Sequence, residues 1–163
     1  ANDGTIRRMD APDCPERAED VVSTQRLEGP GFTIDLEDRA GFLRAIVHGA
    51  EDTLSVSTAY WARLGDECQR RGARAILVLE DLPAWPNAGP EIFEAVTDAM
   101  VAAGFRDIRC AFVDLHEEVE ANEYGMIVGA EKGLTIMMFS NESYAERWLR
   151  FGSPQSPQRR GID

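Results

Sequence analysis

The sequence predicts a single α/β domain: a mixed sheet of about five strands with an antiparallel edge strand, packed by about four helices. Three observations carry this expectation. Apolar and polar residues alternate in Phe32-Thr-Ile-Asp-Leu-Glu37 and an apolar pattern resumes over Gly41 to Val47, as in a half-buried hairpin. Ala75-Ile-Leu-Val-Leu79 is a continuous apolar run, the pattern of a strand covered on both faces. From Ser55 to Leu149 helical and strand periods then alternate, as they do where crossover helices join parallel strands.

The hairpin has a short connection, Asp38-Arg39-Ala40-Gly41, which forces its strands to run antiparallel. After it, Val56, Tyr60, Leu64 and Cys68, with Trp61 beside them, fall on one helical face, and Gly72 stands where a C-terminal cap belongs. Ser55, Ser57 and Thr58 precede the apolar part of that helix and read as capping residues rather than nucleophiles, because no Gly-x-Ser-x-Gly elbow surrounds them. The buried strand 75–79 follows. Pro90 suits the first turn of the next helix, whose buried stripe is Ile92, Phe93, Val96, Met100 and Ala103, closed by Gly104. Ile108 to Val113 is a further strand.

Glu117 to Lys132 admits two readings. A helix suits its acidic start and the spacing of Val119, Tyr124, Ile127 and Val128, whereas Gly125 and Gly129 each weaken a helix by about 1 kcal/mol and allow a strand over 124–130. The helix is favoured because it preserves the alternation. Leu134 to Phe139 is the closing strand. Asn141 is a good N-cap for a last helix that presents Tyr144, Ala145, Trp148 and Leu149 before Gly152.

At 163 residues, with 44% hydrophobic and 28% charged residues, the chain has the size and composition of one globular core. Residues 1–29 mix Asp, Glu, Arg, Pro and Gly without sustained period and read as a peripheral arm, although Glu16 to Leu27 is compatible with a short helix. Residues 30–151 carry the domain, and residues 152–163 read as a disordered polar tail. No run approaches the roughly 20 apolar residues of a membrane span, and the first thirty residues lack the apolar centre of a secretory signal, so a cytoplasmic protein is expected. Cys14, Cys68 and Cys110 suit reduced thiols, the last two in the core.

The net charge of -12 is concentrated: Glu80 to Glu123 holds 11 Asp and Glu against 2 Arg. Nucleic acid and anionic membrane surfaces are poor partner candidates on that balance, since both are bound through Lys and Arg. A protein partner with a basic surface, or a cationic ligand, fits better; acidic helices also serve solubility alone. No dinucleotide fingerprint, phosphate loop or metal-ligand spacing is present, so no cofactor and no metal are expected.

The element order, with the closing strand into Phe139-Ser-Asn-Glu-Ser-Tyr-Ala-Glu-Arg-Trp-Leu149, resembles the SpoIIAA-like branch of the STAS and Sec14-related superfamily. There, a strand ending in Phe leads to a helix with an Ala-x-x-Trp-Leu pattern, here Ala145-Glu-Arg-Trp148-Leu149. The resemblance covers residues 32 to 150 and implies a STAS-like fold. It also implies a regulatory module that binds a protein partner, switched in some members by phosphorylation of a Ser or Thr after the central strand. The matching stretch here, Glu80 to Glu91, contains neither, so the implied module lacks that switch. Sec14-related members bind lipids, which implies a carrier as the second possibility.

Ligands of open α/β sheets gather at the carboxyl ends of the parallel strands, here Glu80 and Asp81, Asp114 with His116, and Ser140 with Asn141. The first expectation is a non-enzymatic module contacting its partner through Glu80, Asp81, Trp85, Asp114 and His116, with Pro83, Pro86 and Pro90 stiffening the Trp85 loop. A second is a carrier of a small apolar ligand, held between the sheet and the helices of Met100, Tyr124 and Trp148. A third is a hydrolase or isomerase using Asp114 and His116. His48 reads as a strand-end residue rather than a base.

Overall fold

The computed structural model describes residues 23–83, 88–116 and 119–152. The expected arm over residues 1–22, the tail over 153–163, Cys14, Trp85 and Pro86 lie outside the described residues.

Six strands form one sheet in chain order: β1 (Ser23–Gly29), β2 (Phe32–Arg39), β3 (Phe42–His48), β4 (Ala75–Asp81), β5 (Arg109–Asp114) and β6 (Thr135–Phe139). β1, β2 and β3 are antiparallel neighbours, and β3 to β6 run parallel. Four helices complete the α/β domain: α1 (Leu54–Arg71), α2 (Pro90–Ala102), α3 (Val119–Glu131) and α4 (Glu142–Phe151). Both hairpins turn on two residues, Pro30-Gly31 and Ala40-Gly41, and the second residue of each has a positive φ, 82° and 87°, which glycine adopts without strain.

β1 corrects the expected boundary of the arm. Ser23 to Gly29 is a strand rather than part of a loose segment or a helix, pairing Ser23 with Asp38 through to Gly29 with Phe32. Leu27 is its one buried side chain, so little apolar alternation marks it in the sequence. Polar contacts hold it instead: Arg26 forks onto Asp35 at 2.7 and 3.0 Å, Ser23 donates to Asp38, and Arg71 of α1 donates to both Gln25 and Asp38.

Alternation along the strands divides the core into two layers. Ile34, Leu36, Ala45, Val47, Ile76, Val78, Cys110 and Phe112 face α1, with Tyr60, Trp61 and Leu64 packed over them. Leu77, Leu79, Ala111 and Val113 face α4, which buries Ala145 and Leu149 there. α1 is capped by Thr53, whose Oγ1 accepts from the Val56 amide, so Ser55, Ser57 and Thr58 lie inside the helix rather than before it. Gly72 ends α1, Pro90 opens α2 and Asn141 caps α4 by accepting from the Tyr144 amide, as their residue types require. Residues 124–130 are helical, within α3. Tyr144 projects into solvent rather than joining Ala145 and Leu149.

Candidate functional site

The carboxyl ends of β3, β4 and β5 lie side by side, with His48 in register with Asp81 and Glu80 in register with Asp114. Because neighbouring side chains of a strand point to opposite faces, this register divides the predicted residues. Glu80 and Asp114 face the α1 layer. Asp81 faces the other way, as does His48, and His116 reaches the same side.

On that second face a polar row crosses the sheet. Asp81 holds His48 Nδ1 through Oδ2 and His116 Nε2 through Oδ1, both at 2.9 Å. His48 Nε2 is 3.3 Å from Asp35, which Arg26 also pairs. The hydrogen bonds from His48 and His116 hold the Asp81 carboxyl below the usual carboxylate range, and Arg26 does the same for Asp35. His48 thus stands at a strand end, as expected, but as a partner of Asp81. The row is solvent-accessible, with the His48 and His116 side chains each 41% exposed, and Leu115 beside it is half exposed.

Asp114 and His116 do not form the acid–base pair that catalysis would need. Asp114 Oδ1 accepts from the His116 backbone amide at 2.8 Å and its Oδ2 accepts from Asn122 Nδ2 at 3.1 Å, while the His116 ring is turned to Asp81.

On the first face, Glu80 and Asp114 reach the polar end of a cavity of about 110 Å³ between the sheet and α1, α2 and α3. Its apolar wall includes Ile92, Phe93 and Val96 of α2, Phe112 of β5, and Ile136 and Met138 of β6. This explains a departure from the expected buried stripe: Met100 is fully buried, but Ile92, Phe93 and Val96 are half-buried because they border open space rather than a closed core. Gly125 of α3 lies against Phe93, where an added Cβ would come within 3.1 Å of the ring. Tyr124 instead meets Phe93 edge to face, at 5.4 Å between ring centroids, and Trp148 lies on the α4 face. A cavity walled jointly by the Met100 and Trp148 helices is therefore corrected, since the sheet separates them.

The polar end is assembled from four elements. Asp52 precedes α1 and accepts from Ser57 at 2.7 Å; Tyr60, buried in α1, donates a short hydrogen bond to Glu80; Asn122 of α3 donates to Asp114. Burial raises the Asp52 carboxyl above its usual range, and the charge of Asp114 adds to the effect. Burial also pushes the Tyr60 hydroxyl well up, helped by Glu80 and Asp52. A second depression of about 390 Å³ shares Phe112, Asp114, Asn122 and Met138 with the first, and it extends past Glu123, Met126 and Ser140.

Sequence reasoning found Glu80 and Asp114 but missed Asp52, Ser57, Tyr60 and Asn122. Tyr60 was legible only as a core residue and Ser57 only as a cap. The available signal was Asp52-Thr53 immediately before an apolar helix, just after the second strand of the predicted hairpin. Buried Cys68 and Cys110 have no such role: burial pushes the Cys68 thiol up to about 12 and that of Cys110 higher still. Among the described residues no three His, Cys, Asp or Glu side chains converge as a metal-binding group, and no helix is long and apolar enough to cross a membrane.

No family model matches the chain, and a search of curated proteins finds no match.

Proposed function

We propose that the protein is a non-enzymatic, STAS-like binding module of the cytoplasm whose cavity under α1, α2 and α3 holds a small ligand with an apolar body. The single observation that carries this reading is the 110 Å³ space bordered by Ile92, Phe93, Val96, Ile136 and Met138. Interiors normally pack without such voids, and since a dry cavity of roughly 150 Å³ admits benzene, this smaller space takes a body no larger than one small ring. The division of Asp114 and His116 between two faces favours binding over catalysis.

Fluorobenzene, followed by fluorine NMR line broadening, tests the cavity directly. Broadening with the natural chain, abolished in a folded Val96→Trp variant that fills the space, is the expected result; an unbroadened line in the natural chain overturns the reading.

The second reading is a protein partner with a basic surface docking at the strand ends, around Glu80, Asp81, Asp114, His116 and the Trp85 loop. It is favoured by the exposed Leu115 set among Asp81, Asp114 and His116. Partner capture that weakens with salt and is lost in Trp85→Ala, with folding intact, is its expected signature.

A further inference from the structure

We infer that the outer edge of β6 is an interface with a second copy of this chain, the two β6 strands pairing antiparallel across a twofold axis at Met137 to make one continuous sheet. β4 and β5 bury most of their side chains, but no residue of β6 is buried, although its sequence, Thr135-Ile-Met-Met-Phe139, is almost wholly apolar. Strands in parallel sheets normally have both faces covered. Here β5 pairs with one side of β6, and among the described residues no strand pairs with the other.

Exposed apolar side chains gather at the same edge. Of the seven large ones among the described residues, five stand on β6 or on the helices before and after it: Tyr124 and Ile127 of α3, Met137, and Tyr144 and Phe151 of α4, the last 81% exposed. α4 is seated over β4 and β5 and leaves beside it a hollow along Phe139, Trp148 and Phe151. An open strand edge with an apolar rim is a template for strand addition.

The two ends of the sheet differ in what they can add. Antiparallel self-pairing about the centre of β1 would set Arg26 against Arg26 of the second copy, like charges directly opposed, and Thr24 against Glu28. The same operation about the centre of β6 sets Met137 against Met137, Ile136 against Met138 and Thr135 against Phe139, with no charge in the ladder. Residues of equal parity stay opposite each other, so Ile136 and Met138 keep to the cavity face in both copies. Two chains of net charge -12 repel, and they meet stably where the facing surfaces are uncharged. A partner attracted by charge is drawn to the acidic strand ends instead. A twofold contact needs a patch complementary to itself, and of the two edges β6 is the one that offers it.

Sedimentation of the full chain over a dilution series from about 200 to about 1 μM should show a dimer that dissociates as it is diluted. Met137→Lys, at an exposed position, places two ammonium groups at the axis and should raise the dissociation constant about tenfold or more, while Thr24→Lys on the other edge leaves it unchanged. Opposed residues of an antiparallel pair have Cα atoms about 5 Å apart, close enough for a disulfide. Cys68 and Cys110 are buried, so in a chain that also carries Cys14→Ser, Met137→Cys should cross-link into covalent dimers under mild oxidation, and Thr24→Cys should not. Should Met137→Lys fail to fold by circular dichroism, the cross-linking decides alone. A natural chain that stays monomeric at about 200 μM overturns the inference. So does a dimer that a folded Met137→Lys variant leaves intact, or one cross-linked by Thr24→Cys but not by Met137→Cys.

Discussion

On one face of the sheet α4 is fastened by charged contacts, whereas on the other α2 and α3 rest over open space. Arg44 forks onto Glu142 at the start of α4, and Arg109 donates to the carbonyls of Trp148, Leu149 and Gly152 at its end while lying 4.5 Å over the Trp148 ring. Ala145 and Leu149 close the space between. Among the described side chains of α3, Val128 is the buried hydrophobic one, and the link to α2 includes Lys132, which reaches Glu94, Thr97 and Asp98. The difference teaches where to seek function. The hollow beside α4, along Phe139, Trp148 and Phe151, is open to solvent, whereas the space under α2 and α3 is the more enclosed one.

The contrast is sharpest inside the α1 layer, where closed packing and open cavity adjoin. Leu64 is fully buried against the sheet, and Leu64→Ala should destabilise the protein by about 3 kcal/mol in urea unfolding. A loss below 1 kcal/mol would mean that this layer is loose throughout, and the contrast between α1 and the cavity would be lost.

Arg109→Met tests the fastening of α4. It removes three donor contacts to helix-end carbonyls, with an expected cost of about 2 kcal/mol and faster amide exchange in α4 than in α1. Equal acceleration in both helices would show that the two faces open together.

Gly125→Ala addresses the open layer. A central helical glycine costs about 1 kcal/mol against alanine, and the new methyl needs Phe93 to yield by a few tenths of an ångström into the cavity it borders. The expected result is a gain of up to about 1 kcal/mol with weaker broadening of the fluorobenzene line. Destabilisation would mean that Phe93 is fixed.

The smallest effect belongs to the exposed polar row. Asp81 has a folded-state carboxyl lowered by His48 and His116, so its stabilising contribution is present above the ordinary carboxylate range and lost as pH falls through the lowered value. Solvent screening limits it to a few tenths of a kcal/mol, and Asp81→Asn should flatten the stability profile below about pH 4 by that amount. A larger change would place the row among the elements that hold the sheet together.

Legibility in the sequence followed burial. The run Ala75 to Leu79, the caps Gly72, Pro90 and Asn141, and the Cys68 and Cys110 positions were readable because each residue type answers a local demand. β1 was not, since Ser23 to Arg26 are exposed and its register depends on partners such as Asp35, Asp38 and Arg71. The carboxyl ends of β4 and β5 were readable as a site, but their division between faces needed the pairing of His48 with Asp81 and of Glu80 with Asp114, which no local pattern contains. Asp52 and Tyr60 escaped for the same reason: their meeting with Glu80 and Asp114 joins segments far apart in the chain.

The strand order has a kinetic consequence. Each strand from β2 to β6 pairs with the strand before it in the chain, the first two pairings across tight turns and the last three across a crossover helix. Such a sheet can lengthen one strand at a time from the N-terminal hairpins as synthesis proceeds, quickly across the hairpins and more slowly at each parallel crossover. β6 is the last strand of the sheet to join, so its wall of the cavity, Ile136 and Met138, is put in place after those supplied by α1, α2 and β5.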